Sequence, residues 1–433
     1  FPKNLKFSTR KSIRRQTLNI MSIKNKSIYI DHSATTPVDK GVLKAMLPYF
    51  SDSFGNPSSV HSFGQEAIMG VDIAREKVAE FLDCLVSEIV FTSGATEADN
   101  LAIFGVIKAL KRKNSNDKFH IITSSIEHSA VLELFKVLQG QGIEVTFLPV
   151  KSNGIIDIED FKQAIKDNTI FVSIMYVNSE VGSIQPIHEV GKWIQKINKL
   201  KLKKWQEADP KTRGDKPLVI YFHTDATQAV NFLNCSTKHL HVDLLSLSSH
   251  KIYGPKGVGA LFVKTGTPID AIQLGGHHEN NRRSGTLNVS GIVGMGEAIK
   301  LLDKKTIEKN NKKIAKLRQS LIAGIIKNIP DVILNTDLNQ SVPSHAHFSF
   351  LGAEGEAILI SLDLAGIAVS TGSACASNSL QASSVLLAMG INEEVAHSSI
   401  RFTLGKNTTL IEIKKVIEIL PKIIKRLRQM APK

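Results

Sequence analysis

Apolar residues along this chain come in two alternating patterns. Short, nearly uninterrupted runs read as strands buried on both faces. Longer stretches, with apolar positions recurring every three or four residues, read as amphipathic helices. The runs predict strands at 27–31, 88–92, 120–124, 144–149, 170–176, 218–223 and 244–248. The periodic stretches predict helices at 38–49, 64–81, 96–111, 129–139, 158–165 and 187–200. Strand and helix in regular alternation imply an α/β fold, with a mainly parallel sheet covered by helices.

Two features interrupt that rhythm. Residues 198–217 are polar, Lys-rich and without apolar periodicity, so a surface insertion is expected there. Near Lys304 a second lobe is expected to begin. It runs through a Lys-rich helix, strands near 346–350 and 400–403, and an amphipathic helix over 411–430. No internal repeat is visible.

At 433 residues, 42% hydrophobic and 22% charged, the chain is long enough for two packed lobes around a large core. No apolar run approaches the ~20 residues that span a bilayer, so no membrane partner is expected. The net charge of +14 raises the question of a nucleic-acid partner. Much of the excess, however, lies in peripheral runs such as 199–204 and 304–313. No zinc finger, aromatic RNA-binding signature or basic zipper accompanies them, so stable nucleic-acid binding is not expected. The three cysteines, Cys84, Cys235 and Cys375, make neither a disulfide framework nor a metal-ligand spacing. Residues 1–30 contain Lys3, Lys6, Arg10, Lys11, Arg14, Arg15, Lys24 and Lys26 and no acidic residue. Residues 1–25 therefore read as a basic extension, either an organelle-targeting presequence or a plain tail. Met21 is a candidate internal start. A mitochondrion or related organelle is the expected location, with the cytoplasm as the alternative.

The candidate chemistry collects where strands end. Lys251 lies between a hydroxyl-rich strand end, 246–249, and the glycine-rich turn 254–259. A lysine so placed can condense with a carbonyl cofactor, and Asp225 upstream supplies the carboxylate that a pyridine nitrogen needs. Ser248 and His250 flank the lysine and can bind phosphate. At 92–100, Gly94 permits a tight turn into a helix whose first N–H groups, with the Thr96 hydroxyl, suit an anion; on its own this reads equally as a helix cap. His128 follows a strand and precedes a helix, where an imidazole either stacks on a ring or makes a local hydrogen bond. Asn178 ends another strand and offers an amide to a phenolate or a carboxylate. Gln228 follows Asp225. Arg282 and Arg283 form a paired-guanidinium loop suited to carboxylates or phosphates, and Thr286 beside them can reach a phosphate, its own subunit's or a neighbour's. Arg401 interrupts a strand. It reads either as the receiver of an α-carboxylate or as half of an internal ion pair. Cys375 sits in a small, polar, glycine-containing segment, which reads as an exposed and mobile loop with an accessible thiol. Cys84 and Cys235 read as packing residues.

Together these segments resemble the cysteine desulfurases of the class V aminotransferase family. The resemblance covers about residues 28–404, and ten motifs occur in order. They are 31–37, 55–59, 93–97, 127–128, 178–182, 225–228, 250–257, 283–286, 372–375 and 399–402. The Ser-Ala-Cys segment resembles the group that supplies sulfur for iron–sulfur clusters. The resemblance implies an aspartate aminotransferase-like fold of type I, dependent on pyridoxal 5'-phosphate (PLP). Its large PLP-binding domain would span 39–304, and its small domain would combine 26–38 with 305–433 and carry the catalytic cysteine.

It also implies roles. Lys251 holds PLP and moves protons, Asp225 supports the pyridinium, and His128 stacks on the ring. Gln228 and Asn178 contact the ring hydroxyl side. Ala95, Thr96, Ser248 and His250 bind phosphate, joined by Thr286 from the other subunit of a homodimer. Arg401 and Asn178 hold the substrate carboxylate. L-cysteine then gives L-alanine and a persulfide on Cys375. The sulfur is destined for an iron–sulfur scaffold protein, where the persulfide meets a nascent cluster, and for tRNA thiolation; no intrinsic metal is implied, and a small activator subunit is a further implied partner. Three departures stand out: the 198–217 insertion, His345 and His347 in place of a more usual Asn-containing strand, and an end at Lys433 where many relatives continue into a scaffold-binding tail. The rival readings are a selenocysteine lyase or another class V enzyme and, from a different class, a basic nucleic-acid-binding protein on a dead enzyme fold.

Overall fold

A computed structural model describes residues 27–113, 118–210, 214–371 and 382–430. The strands, in chain order, are β1 (Ile28–Tyr29), β2 (Ile89–Thr92), β3 (His120–Ser124), β4 (Glu144–Leu148), β5 (Thr169–Ser173) and β6 (Tyr221–Asp225). They continue with β7 (Leu244–Ser248), β8 (Gly259–Val263), β9 (Val332–Leu334), β10 (His345–Phe350), β11 (Ile367–Ala368) and β12 (Ser399–Thr403).

Among the described residues, β2 to β8 form one seven-stranded sheet in the order β2-β8-β7-β6-β5-β3-β4. The pairs β3/β4, β3/β5, β5/β6 and β6/β7 are parallel, while β8 runs antiparallel to both β2 and β7. Every residue of β2, β3, β5, β7 and β8 is buried. Burial on both faces is why these strands read as continuous apolar runs. One face packs Val78, Phe91, Phe222 and Met295, and the other packs Leu101, Phe135, Phe171 and Leu261. A separate core gathers Ile30, Leu321, Phe348, Phe402 and Leu420 around the antiparallel sheet β12-β10-β9. The helices Lys304–Asn328 and Leu410–Met430 lie against each other and contribute to that second core.

The N-terminal segment joins the two cores and so positions the site. β1 pairs in parallel with β11, and the next residues bond to β12 through His32 N to Thr403 O at 3.2 Å. The chain then crosses to the large sheet, where Thr36 N donates to His250 O at 2.9 Å.

Three local expectations need correction. Residues 198–207 are not part of an irregular insertion, because the helix that starts at Ile187 continues to Glu207. Its buried residues are Ile187, Val190, Gly191 and Ile194, all in its first half. Ile197 still rests on the large sheet's core, but no residue of the helix beyond Ile194 is buried, so apolar periodicity stops while Lys, Leu and Gln still favour helix. Asn198 fastens the strand approach: its Nδ2 donates to Ile220 O and its Oδ1 accepts from Ile220 N, each at 2.9 Å. Second, the helix expected over 38–49 is two helices, Lys40–Met46 and Pro48–Ser51, because Pro48 cannot continue the first one's ladder. Third, β8 was not foreseen as a strand, since the glycines that precede it mask its apolar run.

Candidate active site

β2, β3, β5, β6 and β7 end on one side of the large sheet, and the loops that follow them surround a cleft of about 880 Å³. Among the expected site residues, Ala95, Thr96, His128, Asp225, Gln228, Ser248, His250, Lys251 and Arg401 line it. Asn178 and Thr286 are not among its lining residues. Cys375 lies outside the described residues.

Lys251 ends the short 3-10 turn Ser249–Lys251 that follows β7. Its Nζ donates to Ser33 O at 2.5 Å and to Ala34 O at 2.7 Å, so the N-terminal crossing segment is the amine's near wall. Asn231 Nδ2 holds Lys251 O at 2.7 Å, and Gln228 Nε2 donates to Ser33 O at 3.0 Å. His250 Nδ1 contacts Thr35 Oγ1 at 3.1 Å. Burial, reinforced by the Lys251 and Lys256 charges, lowers His250 to about 4, so its imidazole is neutral at pH 7.

Buried acids line another part of the cleft. Asp225, the last residue of β6, accepts Thr227 N at 2.9 Å. Asp99 lies three residues after Thr96 in the helix Ala95–Lys113, on the same helical face. Burial and the Asp225 charge hold its carboxyl well above the usual carboxylate range. His223 lies 3.6 Å from Asp99 and is itself kept neutral by burial, bonding Ser173 Oγ at 2.8 Å and Ser246 Oγ at 2.9 Å. Glu127 accepts from Ser124 Oγ and from Met175 N, and burial pushes it up to about 8. His128 caps the helix Ser129–Gly140, its Nδ1 accepting from Ala130 N at 3.1 Å. The local hydrogen bond and the cleft-lining position therefore hold together.

A third cluster of donors is brought together by close backbone packing. A Cβ on Gly259 would lie 2.7 Å from Gly94 Cα and 2.6 Å from Leu247 O, so glycine there lets the 93–96 turn close onto the end of β7. This gathers the N-terminus of the helix Ala95–Lys113 and the Thr96 and Ser248 side chains at the cleft. Free helix N–H groups and hydroxyls of this kind suit a phosphate. Arg283, by contrast, is spent on Glu97, with Nε at 2.8 Å and Nη2 at 3.3 Å from its carboxylate.

Arg401, on β12, is 4% exposed. Its Nη1 donates to Ser179 O at 3.0 Å and its Nη2 to Asp31 Oδ1 at 2.8 Å, while its buried Nε has no partner. The internal ion pair weighed from the sequence is therefore present, with one donor still open. Asn178 organises the neighbouring turn instead of lining the cleft: its Oδ1 accepts from Glu180 N and Val181 N, and its Nδ2 donates to Ile126 O. Thr286 is exposed. His345 and His347 are buried beside Arg401, and burial lowers both to about 3. His345 presses on Gly182, whose φ of +77° admits no side chain without strain.

Asp31, Ser33, Ala34, Asp99 and Glu127 surround the site without having been assigned roles from the sequence. The i, i+3 spacing of Thr96 and Asp99 was a usable signal for one of them. The others depend on crossings between distant segments.

An amine, a buried carboxylate, a flat imidazole and a hydroxyl-rich helix start in one cleft match a ligand with an aldehyde, a ring nitrogen and a phosphate. The orphaned buried oxygens of Asp99 and Thr227, both lining the cleft, are further polar atoms that such a ligand can approach.

The family model described as aminotransferase class-V matches residues 28–202 and 216–416. Cysteine desulfurase IscS of Clostridium botulinum (strain Hall) is 45% identical over 410 residues, covering 94% of this chain and 97% of the relative. Cysteine desulfurase IscS of Methanosarcina thermophila is 45% identical over 412 residues, covering 95% of each. Among solved structures, a NifS-like protein superposes with a TM-score of 0.82 at 35% identity, covering 93% of this chain and all of the other. A structure described as SspA in complex with cysteine gives 0.73 at 34% identity, covering 88% of this chain and all of that one.

Proposed function

This chain belongs to the class V aminotransferase family and, within it, to the cysteine desulfurases, and on that premise we propose which of its residues perform the reaction. The enzyme removes sulfur from L-cysteine, leaves L-alanine and serves iron–sulfur cluster assembly. One observation carries the assignment of residues: Lys251, Asp225, His128, Thr96, Ser248 and Arg401 line a single cleft although they are distant in sequence.

The donor set fits PLP, with Lys251 at its aldehyde, Asp225 at its ring nitrogen, His128 against its ring, and Ala95, Thr96, Ser248 and His250 at its phosphate. When bound, the cofactor supplies an electrophilic carbon and a protonated ring that withdraws electrons from the substrate's Cα. Asp225 keeps the positive ring nitrogen balanced in a buried place, where an uncompensated charge would be costly. Arg401 receives the α-carboxylate and fixes the direction in which Cα presents its proton. Lys251 Nζ takes that proton and carries it. The Cys375 thiolate attacks the substrate's sulfur, so that an S–S bond forms as the C–S bond breaks. The bonding pair stays with carbon, and a proton delivered there completes L-alanine.

The sulfur then passes from Cys375 to an iron–sulfur scaffold protein, with tRNA thiolation a second destination. A homodimer is supported by a run of exposed apolar side chains, Leu47 at 55%, Phe50 at 62%, Phe54 at 64%, Val60 at 91% and Phe63 at 51%, a density unusual for solvent-facing surface. In such a dimer the exposed Thr286 would complete the partner's phosphate site. Residence in a mitochondrion or related organelle rests on the acid-free, Lys- and Arg-rich composition of residues 1–30. A reporter fused to that stretch should leave the cytosol; a diffuse signal would count against it.

The direct test of the residue assignment is Lys251→Ala in the PLP-reconstituted enzyme. The variant is expected to lose the lysine-dependent yellow chromophore and all alanine formation. Retention of either would remove Lys251 from its role.

A further inference from the structure

Four arginine–carboxylate contacts between distant residues can be compared. Arg75, Arg112 and Arg283 each use two nitrogens: Arg75 holds Glu279 at 2.8 and 2.6 Å, Arg112 holds Asp270 at 3.1 and 2.9 Å, and Arg283 holds Glu97 at 2.8 and 3.3 Å. The pairs at Arg112 and Arg283 use the Nε/Nη2 edge. Arg401 departs from this pattern. Asp31 Oδ1 takes its Nη2 at 2.8 Å, while the adjacent Nε is buried without a partner.

A planar guanidinium offers that edge as a fork matched to two carboxylate oxygens, and two parallel charge-assisted bonds hold better than one. An orphaned N–H at a buried site costs free energy that a ligand can recover. Asp31 is also the more solvent-accessible partner. Its side chain is 17% exposed against 5% for Arg401, so it has somewhere to go. Glu180 is the other carboxyl near Arg401, but its Oε2 already accepts from Ser383 Oγ at 2.5 Å. Nη1 remains on Ser179 O and keeps the guanidinium in place whichever carboxylate sits on the fork.

We infer that Asp31 is a resident stand-in for the substrate's α-carboxylate, holding Arg401 by one contact until an amino acid takes the whole Nε/Nη2 fork and displaces it. This rests on the reading that Arg401 receives the substrate carboxylate. The device sets an entry requirement: a ligand that brings no carboxylate leaves Asp31 in place. It also ties substrate arrival to the crossing segment, because Asp31 begins the stretch whose Ser33 and Ala34 carbonyls wall Lys251 Nζ. Asp31 is thus a positioning residue, acting on substrate through Arg401.

The test compares equilibrium binding of L-alanine and of ethylamine, its counterpart without a carboxylate, to PLP-loaded enzyme. Asp31→Asn removes the competing charge and keeps the shape, and it should tighten L-alanine by about fivefold, the equivalent of about 1 kcal/mol, with ethylamine unchanged. Asp31→Ser serves the same purpose if the first variant does not fold. Unchanged or weaker L-alanine binding in a folded variant overturns the inference. Arg401→Gln separates it from the reading beneath it. Weaker L-alanine binding there, with no gain in the Asp31 variants, rejects the stand-in and keeps Arg401. No change there rejects both. A crystal structure of the wild-type enzyme with L-alanine should show both Nε and Nη2 on the ligand and Asp31 off Nη2; Asp31 still on Nη2 would overturn the stand-in.

Discussion

Gly259→Ala tests whether the phosphate end of the cleft is built by close backbone contact. Gly259 opens β8 and pairs with Thr92 on one side and Ser248 on the other. The new methyl would meet Leu247 O at 2.6 Å and Gly94 Cα at 2.7 Å. Both are backbone atoms, so no side chain can swing away, and strand or turn must shift by several tenths of an ångström. Overpacking of this kind costs about 1–3 kcal/mol. The stiffer unfolded chain returns about 0.4–1 kcal/mol, leaving a net loss of at most about 2.6 kcal/mol and about 1.3 kcal/mol at the midpoints. The displaced atoms directly precede Ser248 and Ala95, so the loss should fall largely on cofactor retention. Taking that midpoint at 1.4 kcal/mol per decade, PLP should bind roughly tenfold more weakly. Equilibrium dialysis of PLP, with thermal unfolding alongside, measures this. Gly140→Ala is the control, since a methyl there meets nothing within 4 Å. The reasoning is refuted if Gly259→Ala matches wild type in both PLP affinity and unfolding midpoint.

Other outcomes follow from burial and exposure. His32 and His250 are lowered to about 4, and His345 and His347 to about 3, mainly by burial. The stability that these neutral rings contribute is present above about pH 6.5, the unfolded value, and is lost as pH falls toward 4 and then 3. Glu127 and Glu180, raised to about 8 and about 7 by burial, act in the opposite sense: their contribution is present below their unfolded values near 4.5 and is lost as pH rises through 7 and 8. Urea midpoints should therefore peak between these limits, and a flat profile from about pH 4 to about pH 9 would contradict the burial argument. Burial pushes the Cys84 and Cys235 thiols up to about 12, so brief alkylation of native enzyme should label neither until it unfolds. Mass mapping that finds either one modified first would refute this. Phe50→Glu with Phe54→Glu should convert a dimer to a monomer in analytical ultracentrifugation, and an unchanged mass would place the interface elsewhere.

The chain revealed its large sheet because most of its strands are buried on both faces. Residues 120–124 and 244–248 are strands to the residue, each bounded by polar turn signals. β8 stayed hidden because Gly259, whose reason is the contact with Gly94, looked like part of a glycine-rich turn. The helix over Ile187–Glu207 was cut short because periodicity records packing, and its second half packs on little. The cleft followed the same division. Lys251, Asp225 and Thr96 stand at strand ends or helix starts, where local sequence carries the signal. The partnership of Arg401 with Asp31 spans 370 positions, and the walls that Ser33 and Ala34 give Lys251 arise from a crossing between two cores. No local pattern encodes such a crossing. Asn178 shows the converse: its amide stood out at a strand end, yet its oxygen is consumed by its own turn and its nitrogen by Ile126 O in the loop after β3.

The central claim is that the Lys251 cleft delivers sulfur from L-cysteine to Cys375. Mass spectrometry after one equivalent of L-cysteine tests it most directly, with alanine quantified in the same sample. PLP-loaded enzyme should carry one added sulfur atom on the peptide containing Cys375, matched by one L-alanine. Lys251→Ala should give neither. Added sulfur on Cys84 or Cys235 instead, or full alanine yield with sulfide release from Cys375→Ala, would contradict the account.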